Sequence, residues 1–290
     1  MSTPAGAGAG TDGAAEDLPD GPSDERVDPT APLADAAHDS AALRRARRRA
    51  AWLAVALLSI AAVLTVSLLV DPIDPWFQPF DDWWLELVSS HRSAPLTDVA
   101  EALDLIGSVA VTVPVRILAL VVLLLRRRWT QTVAFVVAIV LSELCIGPVK
   151  ALVDRPRPSM RLVETTSASF PSGHAIAAAV TAFGLVIAFL PRGRRRLHWA
   201  IAATLFAGSM ALSRTYLAAH WATDTLAGVC IGAGLAIGVD VALESLRTTA
   251  AEPITDGAAA ADAAAAVGPA ADEHDHVEAA GRGPAARRST

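Results

Sequence analysis

Hydrophobic positions along this chain come in uninterrupted blocks rather than in alternating stripes. Ala51–Val70 is a run of twenty residues without a charge, the length a helix needs to cross a bilayer. It begins fifty residues into the chain and is longer than the apolar core of a secretory signal, which argues against a cleaved leader. Further apolar blocks follow at about 105–125, 130–149, 174–190, 198–213 and 222–241. Their connections are too short to supply the polar surface of a soluble bundle. The pattern therefore predicts an all-α fold, a six-transmembrane-helix bundle over 44–246. Between the first two blocks, Phe80, Trp83, Trp84, Leu87 and Val88 recur at i, i+3, i+4, i+7 and i+8. That periodicity predicts an amphipathic helix at about 75–90, suited to the headgroup interface, either an anchor or a lipid-entry lid.

Composition refines this picture. The 290 residues are 53% hydrophobic with two cysteines, which excludes a collagen-like chain or a disulfide scaffold. The net charge of −6 and pI near 5.6 give no reason to expect a nucleic-acid partner. The charge is uneven, however. Residues 1–43 hold nine acids and one base, and 247–290 hold seven acids and four arginines, so 44–246 is net positive by five. Both acidic, Ala- and Gly-rich ends are expected to be disordered tails. His274 and His276 lie in the second, where solvation is a better expectation than metal binding.

The arginines also orient the bundle. Arg44–Arg49, Arg126–Arg128 and Arg192–Arg196 fall on one side of six spans, and the 71–104 segment, with eight acids and one arginine, falls on the other. By the positive-inside rule both termini are cytoplasmic. One loop breaks this rule. Between the third and fourth blocks, on the acid-rich side, stand Lys150, Arg155, Arg157 and Arg161. Lys150 is the chain's single lysine, which points to a compact ammonium being required there.

Two further segments face the same side. In Phe170–Ala175 (FPSGHA), Ser172 and Gly173 open a helix whose exposed N–H groups favour an anion, with His174 beside it. In Ser213–Asp224 (SRTYLAAHWATD), Arg214 ends one helix, and His220 and Asp224 are expected on one face of the next. Asp224 would then accept one imidazole N–H and leave the other nitrogen nucleophilic.

Together, K-x6-R-P (Lys150, Arg157, Pro158), P-S-G-H (Pro171–His174) and S-R-x5-H-x3-D (Ser213, Arg214, His220, Asp224) resemble the three-part signature of the type 2 phosphatidic acid phosphatase and vanadium haloperoxidase superfamily. The resemblance covers about Leu105–Val241. It implies that Lys150, Arg157, Arg214, Ser172 and the Gly173 N–H bind phosphate. It implies further that His220 is the nucleophile forming a phosphohistidine, Asp224 its orienter and His174 the acid on the leaving oxygen. Six apolar blocks favour the membrane lipid-phosphatase branch over the soluble one. No cofactor or metal is expected.

The expected function is hydrolysis of a lipid phosphate, either phosphatidic acid, phosphatidylglycerol phosphate or a polyprenyl diphosphate, at the extracytoplasmic surface of a bacterial cell membrane. A phosphotransferase or a non-catalytic scaffold on the same fold are the alternatives. Arg155 and Arg161 lie outside the motifs, with either substrate contact or solvation open to them. Arg116 and Glu143, both inside apolar blocks, are expected to face each other as an ion pair. Cys145 and Cys230 are expected to pack in the core.

Overall fold

The structure, a computed structural model of the chain, describes residues 31–251. The described residues contain no strand and form α1 (Ala31–Val70), α2 (Gln78–Ser90), α3 (Ala94–Gly107), α4 (Val109–Leu125), α5 (Trp129–Val153), α6 (Gly173–Phe189), α7 (Arg194–Tyr216) and α8 (Ala222–Ala251). Among the described residues, those up to Ala46 belong to one unit and those from Arg47 to a second; the packing and the site lie in the second.

All six apolar blocks lie on helices, but they do not reach a count of six spans. Three helical stretches are long and apolar enough to cross a bilayer: Ala41–Val70, Trp129–Val153 and Ala222–Thr249. α3 and α4 supply a fourth only when taken together, as a pair bent by 48°. The bend sits at Ser108, whose extended backbone (φ −68°, ψ 160°) ends α3 and opens α4. α3 carries Asp98, Glu101 and Asp104, so the second block becomes continuously apolar only beyond the bend. α6 is apolar but 17 residues long, and α7 opens on Arg194–Arg196 and His198, which dilute its hydropathy.

The expected first tail is also shortened. Residues 31–43 belong to α1, whose alanine-rich start has high helix propensity, and residues 247–251 belong to α8. The rest of both tails, with His274 and His276, lies outside the described residues.

α6 and α8 pack closely because α8 has glycines one turn apart. A Cβ on Gly228 would stand 2.8 Å from the Ser172 carbonyl oxygen, and one on Gly232 would stand 2.6 Å from that of Ile176. Small residues four apart let helix backbones meet in this way. On α6, Ala175, Ile176, Ala179 and Val180 are fully buried. Apolar side chains are exposed elsewhere, including Trp52, Leu53, Val63 and Val66 on α1. Large apolar surfaces of this kind are what a bilayer covers and water does not.

The two ends of the bundle differ chemically. At one end, Arg47 bonds Thr248, Arg128 bonds the Ala188 carbonyl (3.1 Å), Arg192 pairs with Glu244 and Arg196 with Asp240 (3.1 Å). The arginine clusters thus gather together. At the opposite end lie α2, α3, the 154–172 segment and the 217–221 turn. Leu162 N–H bonds the Leu217 carbonyl at 2.9 Å, and Ser93 N–H bonds the Tyr216 hydroxyl at 2.9 Å.

α2 is the amphipathic helix expected over this segment. Phe80, Trp83 and Leu87 are exposed, while the inward face includes buried Gln78 and Asp81. The expected ion pair is also present, between a buried arginine and a half-exposed glutamate: Arg116 Nη1 lies 2.8 Å from Glu143 Oε1, and Arg116 Nε donates to Thr181 Oγ1 at 2.9 Å. Cys230 is buried, Cys145 partly so, and neither forms a disulfide.

Candidate active site

Five elements deliver the motif residues to the non-arginine end: the last turn of α5, the loop after it, the first turn of α6, the last turn of α7 and the turn before α8. α5 ends at Val153 with Asp154 in a left-handed cap (φ 42°). That cap redirects the chain so that Lys150 and Arg157 both return to the 167–168 backbone. Lys150 Nζ donates to the Ala168 carbonyl at 2.5 Å. Arg157 donates from Nη2 to the same carbonyl (3.1 Å) and from Nε to that of Ser167 (2.7 Å). Its Nη1 donates to the Ala219 carbonyl and stands 3.4 Å from His220 Nε2.

The turn carrying His220 is tied to the end of α7. Ala218 adopts φ 50°, and the N–H groups of Ala219 and His220 bond the Arg214 carbonyl at 3.0 and 3.3 Å. His220 is thereby brought back toward Arg214, six residues earlier. α8 begins only at Ala222, so His220 and Asp224 do not share a helical face as expected. The His220 Nδ1–Asp224 Oδ2 distance is 3.8 Å, too long for a hydrogen bond. The Ser169 carbonyl lies 2.7 Å from Nδ1 and accepts its proton. Asp224 instead accepts from Trp221 N–H (3.0 Å), the Ser169 hydroxyl and Arg155 (2.7 Å). It acts on His220 through its charge and through the shared Ser169, not by direct contact.

This arrangement sets the state of His220. The side chain is buried, and burial pushes its pKa down to about 4, against the smaller opposing pull of Asp224. At neutral pH the imidazole is uncharged. With the Nδ1 proton committed to Ser169, the lone pair lies on Nε2, the nitrogen beside Arg157. Burial likewise lowers the Arg157 pKa, while Asp224 opposes it.

Ser172 caps α6 and Gly173 is its first residue. The Ser172 N–H bonds the Asp224 carbonyl at 3.1 Å, which fixes the start of α6 against the start of α8. A Cβ on Gly173 would meet nothing within 4 Å, so the backbone there faces open space. Ser172 Oγ and Arg214 Nε are buried without a hydrogen-bond partner. His174 Nε2 lies 3.1 Å from Asp104 Oδ1, and the same carboxylate contacts Arg214.

The eight candidate site residues, Lys150, Arg157, Ser172, Gly173, His174, Arg214, His220 and Asp224, therefore gather at one end of the bundle. Arg155 does not join the other cations of the candidate set. It is 1% exposed and bonds two carboxylates, Asp224 and Asp81. Arg161 stays on the exposed loop. Sequence patterns did not single out Ser169, Asp81, Asp104 or Gly107. Ser169 acts through a backbone carbonyl, which any residue would supply. Asp81 and Asp104 read as surface acids of the 71–104 segment. Gly107 leaves the space taken by His174, since a Cβ there would stand 2.8 Å from the imidazole Cδ2.

From His174, a cavity of about 490 Å³ runs between α4, α5 and α6, past Gly107, Val113 and Ile146 to Arg116 and Glu143. Arg116 bonds Thr181, seven residues beyond His174, so the cavity reaches about 10 Å below the imidazole at 1.5 Å per residue. Among the described residues no three His, Cys, Asp or Glu side chains group as metal ligands.

Comparison with known proteins accounts for this assembly. The sequence profile of the PAP2 superfamily matches residues 131–244, the stretch that holds all three motifs. Over that stretch the chain is similar to the PAP2 superfamily. The chain is also 38% identical over 90 residues to phosphatidylglycerophosphatase B of Bacillus subtilis (strain 168). That match covers 29% of this chain and 43% of the relative, so the chain matches less than half the length of this curated relative. Among solved structures, the fold is similar to a transmembrane PAP2-type phosphatidylglycerolphosphate phosphatase from Bacillus subtilis. The TM-score is 0.57 at 22% identity, covering 70% of this chain and 99% of that one. The three helical stretches long and apolar enough to cross a bilayer are those of an integral membrane protein.

Proposed function

We propose that this protein is a lipid-phosphate phosphatase working by a phosphohistidine intermediate. The observation that carries the reading is the His220 geometry: a buried, neutral imidazole, Nδ1–H held by Ser169, Nε2 directed to the cationic side of the site. In the proposed cycle Nε2 attacks phosphorus. Lys150, Arg157 and Arg214 compensate the charge on the non-bridging oxygens, joined by the Ser172 hydroxyl and the Gly173 N–H. The unpartnered Ser172 Oγ and Arg214 Nε are donors suited to that task. His174 protonates the leaving oxygen, and water then releases phosphate from His220. Asp224 stabilises the imidazolium through its charge, with Ser169 as the direct positioner.

The cavity below His174 favours a substrate with a long apolar part: the phosphate enters among the cations while the chain lies between helices. A phosphomonoester or diphosphate of an amphiphilic lipid meets that description. Phosphatidic acid, phosphatidylglycerol phosphate and a polyprenyl diphosphate are the candidates, and the named activity of the Bacillus relatives favours phosphatidylglycerol phosphate. The arginine-rich end is proposed to be cytoplasmic and the site extracytoplasmic. This orientation follows if α1, the α3–α4 pair, α5, α6, α7 and α8 make six crossings, with α6 at the lower end of the spanning range.

The test is phosphate release from these three lipid classes by purified protein in detergent, with a chelator present. Release from at least one, lost in His220→Ala, is the expected result. Release that requires added divalent cation, or survives in His220→Ala, would sink the mechanism.

A further inference from the structure

Granting His220 as the nucleophile, we propose that Arg155 is a positioning residue, through which Asp81 of α2 sets the charge that Asp224 offers to His220. The guanidinium divides between two partners. Nη1 donates to Asp224 Oδ1 (2.7 Å) and Thr223 Oγ1 (2.9 Å), and Nη2 donates to Asp81 Oδ2 (2.8 Å) and Gln78 Oε1 (2.6 Å). Phe77 and Trp221 lie across it, with ring centroids 5.5 and 5.3 Å from Cζ. Asp81 and Asp224 are both fully buried. Asp81 also accepts from the Thr223 N–H (2.9 Å) and hydroxyl (2.6 Å), so it is anchored to the first turn of α8, one residue before Asp224. Both terminal nitrogens of Arg155 are committed, which leaves it no role as a phosphate ligand.

The charge count gives the cluster its chemical meaning. One guanidinium shared by two carboxylates leaves this buried cluster one charge negative on the Nδ1 side of His220, opposite the Arg157 guanidinium at Nε2. Phosphorylation at Nε2, with Nδ1 still protonated, makes the ring cationic, and a buried anion nearby favours that state. Were Arg155 paired with Asp224 alone, the charges would cancel and the imidazolium would lose its counter-charge. Asp81 therefore contributes without touching His220, by drawing Arg155 partly away from Asp224. It also explains why α2 buries polar residues inward and exposes Phe80, Trp83 and Leu87. The inward face serves the charge cluster.

The test uses Asp81→Asn, Arg155→Met and the double variant, each full-length in detergent, with dioctanoyl phosphatidic acid as the short-chain probe. Asp81→Asn keeps the shape of the side chain and removes its charge. The expected result is a kcat lowered roughly tenfold with KM changed by no more than about twofold. Asp81→Asn should also add nothing further in the Arg155→Met background, because the route between the two carboxylates is already cut. Thermal unfolding checks that each variant folds; should Arg155→Met not fold, Arg155→Lys takes its place in the cycle. Unchanged kcat in a folded Asp81→Asn, or additive losses in the double variant, would overturn the proposal. Wild-type protein that releases no phosphate from any lipid phosphate would instead overturn the reading of the site on which it rests.

Discussion

His220, the proposed nucleophile, shows how much of a side chain's chemistry is set by its immediate surroundings. Its spacing to Asp224 pointed to a direct hydrogen bond, yet a backbone carbonyl holds the proton at 2.7 Å while the carboxylate stands 3.8 Å away. Burial keeps the ring neutral, with a pKa near 4. A histidine with a lowered pKa loses its nucleophilic form only as pH falls through that value. Phosphohistidine formation is therefore expected to persist to about pH 5, well below the ordinary histidine midpoint of about 6.5. Rapid-quench labelling across pH would check this, and loss of labelling centred near pH 6.5 would contradict it. Gly107 is the second residue-scale case. Gly107→Ala would bring a methyl group within 2.8 Å of His174 and 2.7 Å of Met210. Rates should fall by roughly 10²-fold, the scale of a catalytic group displaced by about 1 Å, while thermal unfolding moves little because Met210 can yield. An unimpaired Gly107→Ala enzyme would deny His174 its role on the leaving group.

At the scale of elements, the close approach of α6 and α8 places the Ser172–Gly173 end of α6 against the turn that carries His220. Gly232→Val would drive a branched side chain into the Ile176 carbonyl, 2.6 Å from the Cβ position. Backbone cannot move aside as a side chain can, so a loss of about 1–3 kcal/mol is expected, seen as a lower unfolding temperature in detergent. The α4–α5 ion pair gives a complementary prediction. Arg116→Leu alone leaves the half-exposed Glu143 without its partner and should destabilise by at most about 2.5–3.5 kcal/mol, the insertion cost of a lone charge at the bilayer centre. Leu at both positions should restore most of that loss; a double variant no more stable than Arg116→Leu would refute pairing as the reason for either residue. The elements that escaped sequence reading share a physical cause. α3 separates from α4 at one extended residue, Ser108, which hydropathy cannot detect. Asp81 and Asp104 matter because folding buries them or brings them to His174 and Arg214, and an acidic residue in an acidic segment carries no mark of that. The motif histidines and cations were legible because the proposed phosphate chemistry demands their residue types, whatever backbone holds them.

For the molecule as a whole, the net charge of −6 conceals a cationic membrane region whose arginines collect at one end and whose remaining cations meet the histidines at the other. If the arginine end is cytoplasmic, a cysteine at Ser159, in a background lacking Cys145 and Cys230, should react with a membrane-impermeant maleimide in intact cells. A cysteine at Arg192 should react only after permeabilisation, and the reverse pattern would invert the topology. The central claim is that His220 carries the phosphoryl group. Its most direct measurement is quenching a single turnover of phosphate-labelled lipid and locating the label by peptide mapping. The account predicts a base-stable, acid-labile label on the peptide containing His220, absent from His220→Ala. A label on another residue, or turnover undiminished in His220→Ala, would contradict it.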